Sequence, residues 1–146
     1  MKRNGELVRE GMQSWSRGDL DATLELIDPR IVWRPVTAWP GIQPEYRGHD
    51  GVRRFWDAFR DPWEEITMEA DEIRELDEHR VLTRSHFRGR GRASGVTTEA
   101  VLHTVWTIEN GKLIRFESFT DDQAALEAAE RAEPLEERSD DRLRAH

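Results

Sequence analysis

Four polar residues in the second half of the sequence have the types and spacing needed for proton transfer. Glu117 lies on a predicted strand among apolar neighbours, where an apolar pocket would destabilise its charged form and favour general acid or base chemistry. His103 lies in a mostly apolar strand, and an imidazole near a carboxylate moves protons around neutral pH. Arg84 and His86 alternate along a third strand and so share one face, where Arg84 would hold an oxygen and His86 would act on a proton. We take these four as candidate catalytic residues.

Each candidate also has a structural interpretation. Glu117 would be a surface carboxylate paired with Arg115 or Arg84. His103 would be a buried, hydrogen-bonded residue of the core or of a dimer interface, and Arg84 and His86 would lie on the outer face of the sheet. An iron site formed by His86, His103 and Glu117 is a remote alternative, because no local ligand spacing supports it. We therefore expect no metal and no cofactor.

The turn at Asn110-Gly111 decides whether His103 and Glu117 share a face of the sheet. A three-residue loop over 109–111 places His103 directly opposite Glu117, whereas a two-residue Asn110-Gly111 loop places them on opposite faces. Asparagine followed by a left-handed glycine suits the longer loop, and we favour it.

Aromatic residues supply candidate walls for a pocket. The chain has six tryptophans among 146 residues, and large flat side chains often line pockets or interfaces. Trp39 and Tyr46 lie in a loop over residues 36–47 that is long enough to form a lid. For tryptophans at helical spacing, packing in the core is the simpler alternative. The candidate ligand-binding residues are Trp15, Trp33, Trp39, Tyr46 and Phe119.

The hydrophobic periodicity predicts the elements that position these residues. Helices are expected over 6–17, over 20–27 after an Asp19 cap, from Gly48 to Asp61-Pro62, and from Asp121 or Asp122 to Glu130. Strands are expected over 31–34, 66–76 with a bulge near Asp71, 81–88, 96–108 and 113–119. Helices that precede an antiparallel meander indicate an α+β fold. A curved sheet covered on one side by helices makes a cone, whose open mouth is a natural small-molecule pocket.

Composition excludes several classes of function. The 22 basic and 30 acidic residues give a net charge of −8, which argues against nucleic-acid binding. No apolar run approaches a membrane span and the N-terminus lacks a signal peptide, so we expect a cytoplasmic protein that does not bind membranes. Without cysteine, disulfides, thiol nucleophiles and thiolate metal sites are excluded. We expect one domain over residues 1–130 and a charged, disordered tail over 131–146.

Four local motifs carry a resemblance to a known family. They are Gly-Asp-Leu-Asp over 18–21, Arg-Gly-His-Asp-Gly-Val over 47–52, Phe-Arg-Gly-Arg-Gly-Arg over 87–92, and the hairpin over 106–113. These motifs resemble the SnoaL-like branch of the nuclear transport factor 2-like (ketosteroid-isomerase-like) superfamily, over residues 5 to about 130. The resemblance implies a cone-shaped α+β barrel with a hydrophobic pocket, paired as a homodimer through the convex face of its sheet. The superfamily includes isomerases, polyketide cyclases, epoxide hydrolases, dehydratases and noncatalytic proteins, so the fold alone assigns no reaction.

The catalytic residues of this superfamily carry over only in part. Ketosteroid isomerases have an aspartate base before a proline on the first strand, and the matching residue here is Arg34, which stays protonated. Arg84, His86 and Glu117 keep the spacing of limonene-epoxide-hydrolase-like members, with a histidine in place of one carboxylate. His103 and Glu117 match the histidine and acid of SnoaL-like cyclases, with glutamate in place of aspartate.

Two functions are therefore consistent with the sequence. The first is a cofactor-independent cyclase, isomerase or hydrolase that uses acid/base chemistry on a small, largely apolar substrate. The second is a noncatalytic domain that binds a small ligand or serves as a dimeric accessory. Catalysis requires a titratable group that faces an open cavity, so the position of Glu117 discriminates between the two.

Overall fold

The computed structural model describes residues 3–37 and 41–131 of the chain. Its helices are α1 (Asn4–Ser16), α2 (Leu20–Glu25), α3 (Gly48–Arg60) and α4 (Asp122–Arg131). Its strands are β1 (Ile27–Arg34), β2 (Tyr46–Arg47), β3 (Trp63–Glu75), β4 (Arg80–Gly91), β5 (Thr97–Glu109) and β6 (Lys112–Phe119). The tail expected over 131–146 lies outside the described residues, apart from its first residue at the end of α4.

The strands form one curved sheet in the order β2-β1-β6-β5-β4-β3. Strands β1 and β6 run parallel, and the other neighbouring strands run antiparallel. Helix α1 packs against β3 and α3 packs against β1, whereas α4 packs against β5 and β6. The α+β fold class and the cone of sheet around N-terminal helices are confirmed.

Helix α2 shows how local signals set the element boundaries. Asp19 caps it as expected, because its carboxylate accepts a hydrogen bond from the Ala22 backbone N–H at 3.1 Å. The helix ends at Glu25, three residues before the predicted Asp28-Pro29 stop. The chain enters β1 at Ile27 instead, because Ile27 is buried and pairs with Leu113 of β6.

Strand β4 runs past the expected end at residue 88 to Gly91. A side chain on Gly89 would lie 2.7 Å from Phe87 Cζ and 2.8 Å from Trp63 Cε3, so the glycine lets these aromatic rings pack over the strand. The predicted irregularity near Asp71 is confirmed, since the β3–β4 register shifts between Ala70 and Glu72.

The three-residue loop favoured for the hairpin between β5 and β6 is wrong. Glu109 pairs with Lys112, which leaves the two-residue loop Asn110-Gly111 with φ angles of 52° and 75°. A bulge between Thr107 and Ile108 then shifts the register by one residue. His103 consequently lies opposite Phe119, and Val105 lies opposite Glu117. His103 and Glu117 share a face, but they are not directly paired.

Helices pack against both faces of this sheet. The main core lies between α1, α3 and the concave face, and its centre is an aromatic stack of Trp15, Trp33, Phe55, Phe59 and Phe116. On the convex face, Leu82 and Val105 pack with Ala125 of α4. Asp121 caps α4 by accepting a hydrogen bond from the Ala124 backbone N–H at 3.1 Å. Among the described helices, none combines the length and apolar character needed to cross a membrane.

Candidate functional site

The concave face and the N-terminal helices enclose a cavity of about 80 Å³. Side chains of α1 form one wall, and alternate residues of β4, β5 and β6 form the floor. Most of its lining is aliphatic or aromatic, and includes Leu7, Met12, Trp15, Trp33, Phe55, Met68, Leu102, Trp106 and Phe116. The cavity is therefore an apolar site for a small molecule.

Stacked rings give the cavity one flat, rigid wall. The ring of Trp33 lies 3.7 Å from that of Phe116, with 5° between their planes. Trp15 also stacks on Trp33, with 5.5 Å between the ring centroids and 22° between the planes. Trp106 meets Phe116 edge to face at 5.0 Å. Such a wall favours flat apolar groups over compact polar ones.

Apart from the indole N–H groups of its tryptophans, the polar side-chain groups of the cavity are hydroxyls. Ser85, Thr104 and Ser118 contribute to the floor, and the hydroxyl oxygens of Thr104 and Ser118 lie 2.8 Å apart. Thr23 also lines the cavity, and its hydroxyl is hydrogen-bonded to Ser14 at 2.6 Å. Within residues 3–37 and 41–131, no Asp, Glu, His, Lys or Arg side chain lines this cavity.

All four candidate catalytic residues lie on the opposite face of the sheet. Ser85, Thr104 and Ser118 point into the cavity, so the alternate residues of the same strands point to the convex side. Those alternate residues are Arg84, His86, His103 and Glu117. The expectation that they face the cone interior is corrected. The cause is the phase of the strands relative to the helices, which the sequence pattern left open.

Glu117 is held by arginines on this convex face. Its carboxylate lies 3.5 Å from Arg34 Nη1 and 3.9 Å from Arg115 Nη1. Arg34 also donates a hydrogen bond to Glu45 at 3.0 Å. Hydrogen bonds from Arg47 and then from Arg34 lower the pKa of Glu45. The network ties β6 to β1 and to the loop that follows β1, which is a structural role.

The other three candidates belong to separate groups on the same face. His103 Nδ1 lies 3.4 Å from Asp122 Oδ1 in the first turn of α4. Arg84 Nε and His86 Nε2 lie 2.9 Å and 2.6 Å from the carboxylate of Asp71. The Arg84 guanidinium, and then the His86 imidazole, hold the pKa of Asp71 below its usual range. The four polar residues do not form one constellation around a shared space.

The candidate ligand-binding residues divide between the two faces. Trp15 and Trp33 line the cavity. Tyr46 is buried beside Phe55, with its hydroxyl accepting a hydrogen bond from the Gln43 backbone N–H, and it does not line the cavity. Phe119 packs with the α4 cluster on the convex face. Trp39 lies outside the described residues.

Sequence reasoning missed the floor of the cavity. Ser85, Thr104, Phe116 and Ser118 all line it, yet small hydroxyl residues in a strand carry no motif. The turn at Asn110-Gly111 and the bulge fix the register of β5 against β6, but nothing in the sequence pattern marks which face of these strands meets the helices. In the described part of the chain, no group of three or more His, Asp or Glu side chains is placed to hold a metal ion.

Comparison with known sequences identifies a domain family. The sequence model of the SnoaL-like domain matches residues 8–116. None of the curated proteins compared with the chain matches it.

Solved structures with the same architecture are numerous. An NTF2-like protein of unknown function from Burkholderia pseudomallei K96243 is 26% identical, with a TM-score of 0.74, over 87% of this chain and 97% of that one. An NTF2-like protein from Burkholderia thailandensis E264 is 25% identical, with a TM-score of 0.75, over 90% and 100% of the two chains. A putative polyketide cyclase from Sinorhizobium meliloti is 25% identical, with a TM-score of 0.61, over 78% and 94%.

Proposed function

The chain belongs to the SnoaL-like domain family, and from that premise we propose that it binds a small, largely apolar molecule in the cavity beneath α1. The observation that carries the proposal is the lining, which is aromatic and aliphatic around a few hydroxyls. The similarity to a putative polyketide cyclase supports a small-molecule ligand.

The size of the cavity limits how a ligand enters. A cavity of roughly 150 Å³ holds benzene, and this one has a volume of about 80 Å³. A ring therefore enters only when lining side chains move. Met12 and Met68 both line the cavity, and an unbranched thioether side chain changes rotamer at little cost. The stacked tryptophans would stay in place while the methionines adapt.

The geometry supports binding better than acid/base catalysis. A cyclase, isomerase or hydrolase that transfers protons needs a titratable group facing its substrate. The described lining of the cavity offers none, and Glu117, His103, Arg84 and His86 point away from it. We therefore adopt the noncatalytic, ligand-binding function. A domain ending near residue 130, a homodimer and a cytoplasmic location remain predictions.

A cavity-filling variant tests the proposal. Gly11 of α1 lines the cavity, and a Cβ there would meet only Leu26 Cδ1, at 3.7 Å. Gly11→Leu should fold, fill the cavity and abolish saturable binding of toluene, measured by intrinsic tryptophan fluorescence. Gly5→Leu places the same side chain on the same helix away from the cavity and should bind toluene normally. Absence of saturable toluene binding by the unmodified protein, or equal binding by a folded Gly11→Leu variant, would refute the proposal.

A further inference from the structure

Three hydroxyl side chains meet at the floor of the cavity, on adjacent strands β4, β5 and β6. Thr104 and Ser118 are directly opposite in the β5–β6 ladder, with their hydroxyl oxygens 2.8 Å apart. Ser85 is one strand further along and is the diagonal neighbour of Thr104, which pairs with Thr83. Diagonal neighbours on a sheet lie about 7–8 Å apart. One small ligand can therefore reach all three.

These hydroxyls have unused hydrogen-bonding capacity. A hydroxyl donates one hydrogen and offers two lone pairs, so the Thr104–Ser118 bond leaves one hydroxyl hydrogen available in the pair. Ser85 is 2% exposed, and its side chain lines the cavity. Three hydroxyls in an otherwise mostly apolar lining indicate a site for the polar end of a ligand.

The cavity also discriminates against charge. A carboxylate or ammonium group buried without a counter-ion is strongly disfavoured. The described lining provides no ionisable side chain to compensate one. Arg60 lies behind this wall, 3.9 Å from the ring of Trp56, and it donates a hydrogen bond to the Trp15 backbone oxygen rather than lining the cavity. The polar end of the ligand must therefore be neutral.

We propose that Ser85, Thr104 and Ser118 form a subsite for a neutral oxygen group, either a hydroxyl or a carbonyl. The ligand class is then a neutral aromatic or alicyclic alcohol, aldehyde or ketone, whose ring packs against the stacked rings of Trp33 and Phe116. The assignment rests on the proposed function, because it assumes that the cavity takes a ligand. It adds the chemistry by which that ligand is selected.

Three probes of matched size test the subsite: toluene, benzyl alcohol, and benzoate, which is ionised at neutral pH. Each is titrated into the unmodified protein, Ser85→Ala and Thr104→Val, with Ser94→Ala as a control that removes an exposed hydroxyl outside the cavity. Loss of one hydrogen bond should weaken benzyl alcohol binding by about fivefold in the two floor variants. Toluene binding should stay unchanged in all variants, and benzoate should not compete with toluene.

The outcomes separate the subsite from the function on which it rests. Saturable toluene binding, with benzyl alcohol affected in neither floor variant, would overturn the subsite and leave the ligand-binding function intact. Competition by benzoate as strong as that by benzyl alcohol would overturn the preference for a neutral group. No saturable binding of toluene by the unmodified protein would overturn the proposed function and the subsite together. Circular dichroism of each variant confirms that a lost signal does not reflect unfolding.

Discussion

Gly11 stands in the middle of α1, where glycine disfavours the helix, and it faces the cavity. Replacing it with alanine should therefore stabilise the protein. Alanine is more favourable than glycine inside a helix by about 1 kcal/mol, and a buried methyl group contributes up to about 0.8 kcal/mol. The added Cβ meets only Leu26 Cδ1, at an ordinary contact distance of 3.7 Å, so no strain offsets the gain. We expect Gly11→Ala to raise the free energy of unfolding by about 1–2 kcal/mol.

Urea unfolding followed by circular dichroism measures this change, and calorimetry should show a rise in Tm of about 2–4 °C per kcal/mol. Gly5→Ala is the matched control, because Gly5 lies in the same helix and its added Cβ would contact Glu75 and Ile73 at 3.6 Å and beyond, outside the cavity. Both variants should gain stability, but only Gly11→Ala should also weaken toluene binding. A folded Gly11→Ala variant that is less stable than the unmodified protein would refute the conclusion that a Cβ fits at Gly11 without strain.

Two further predictions concern the sheet. Gly89→Ala should lower the free energy of unfolding by about 1–3 kcal/mol, because its Cβ would lie under 3 Å from the rings of Phe87 and Trp63. Gly91→Ala is the control, because its Cβ would approach only the Ser94 hydroxyl that closely. Equal losses of stability in urea unfolding would contradict this prediction. Because the pKa of Asp71 is depressed by Arg84 and then His86, its contribution to stability is present above the ordinary carboxyl range and is lost as pH falls through the depressed value. The pH dependence of Tm below about pH 4 should therefore be flatter in Asp71→Asn, and superimposable curves would contradict it.

Local signals in the sequence were enough to predict the elements other than β2, which lies at the end of the segment 36–47 that was expected to be a loop. The Asp19 cap, the glycine that opens α3 and the bulge beside Asp71 each depend on a few neighbouring residues, and each is found where it was expected. The order of these elements then restricts the fold, because helices that precede an antiparallel meander have few ways to cover it. The boundaries of α2 and β4 differ because long-range pairing extends the strands into segments whose local pattern is ambiguous.

The faces of the strands could not be predicted in the same way. Strand β5 has apolar residues in both phases, with Trp106 facing the cavity and Val105 facing α4. On strand β6, Phe116 likewise faces the cavity and Phe119 faces α4. When a C-terminal helix covers the convex face, both sets of positions are buried, and alternation no longer marks one side as the interior. The polar candidates were therefore assigned to the cavity although they belong to the other face.

The positions that do face the cavity share a property which argues for a ligand. Gly11 is less favourable in its helix than alanine, and Ser85 places a hydroxyl in a lining that is otherwise mostly apolar. Each is a less stabilising choice than an apolar, helix- or strand-compatible residue at the same position. Both deviations lie on the lining of one cavity, whereas Arg84 and Asp71 of the convex face form an ion pair with each other. Local departures from the most stable choice are expected at functional sites, so the cavity, and not the polar face, is where a function of this fold resides.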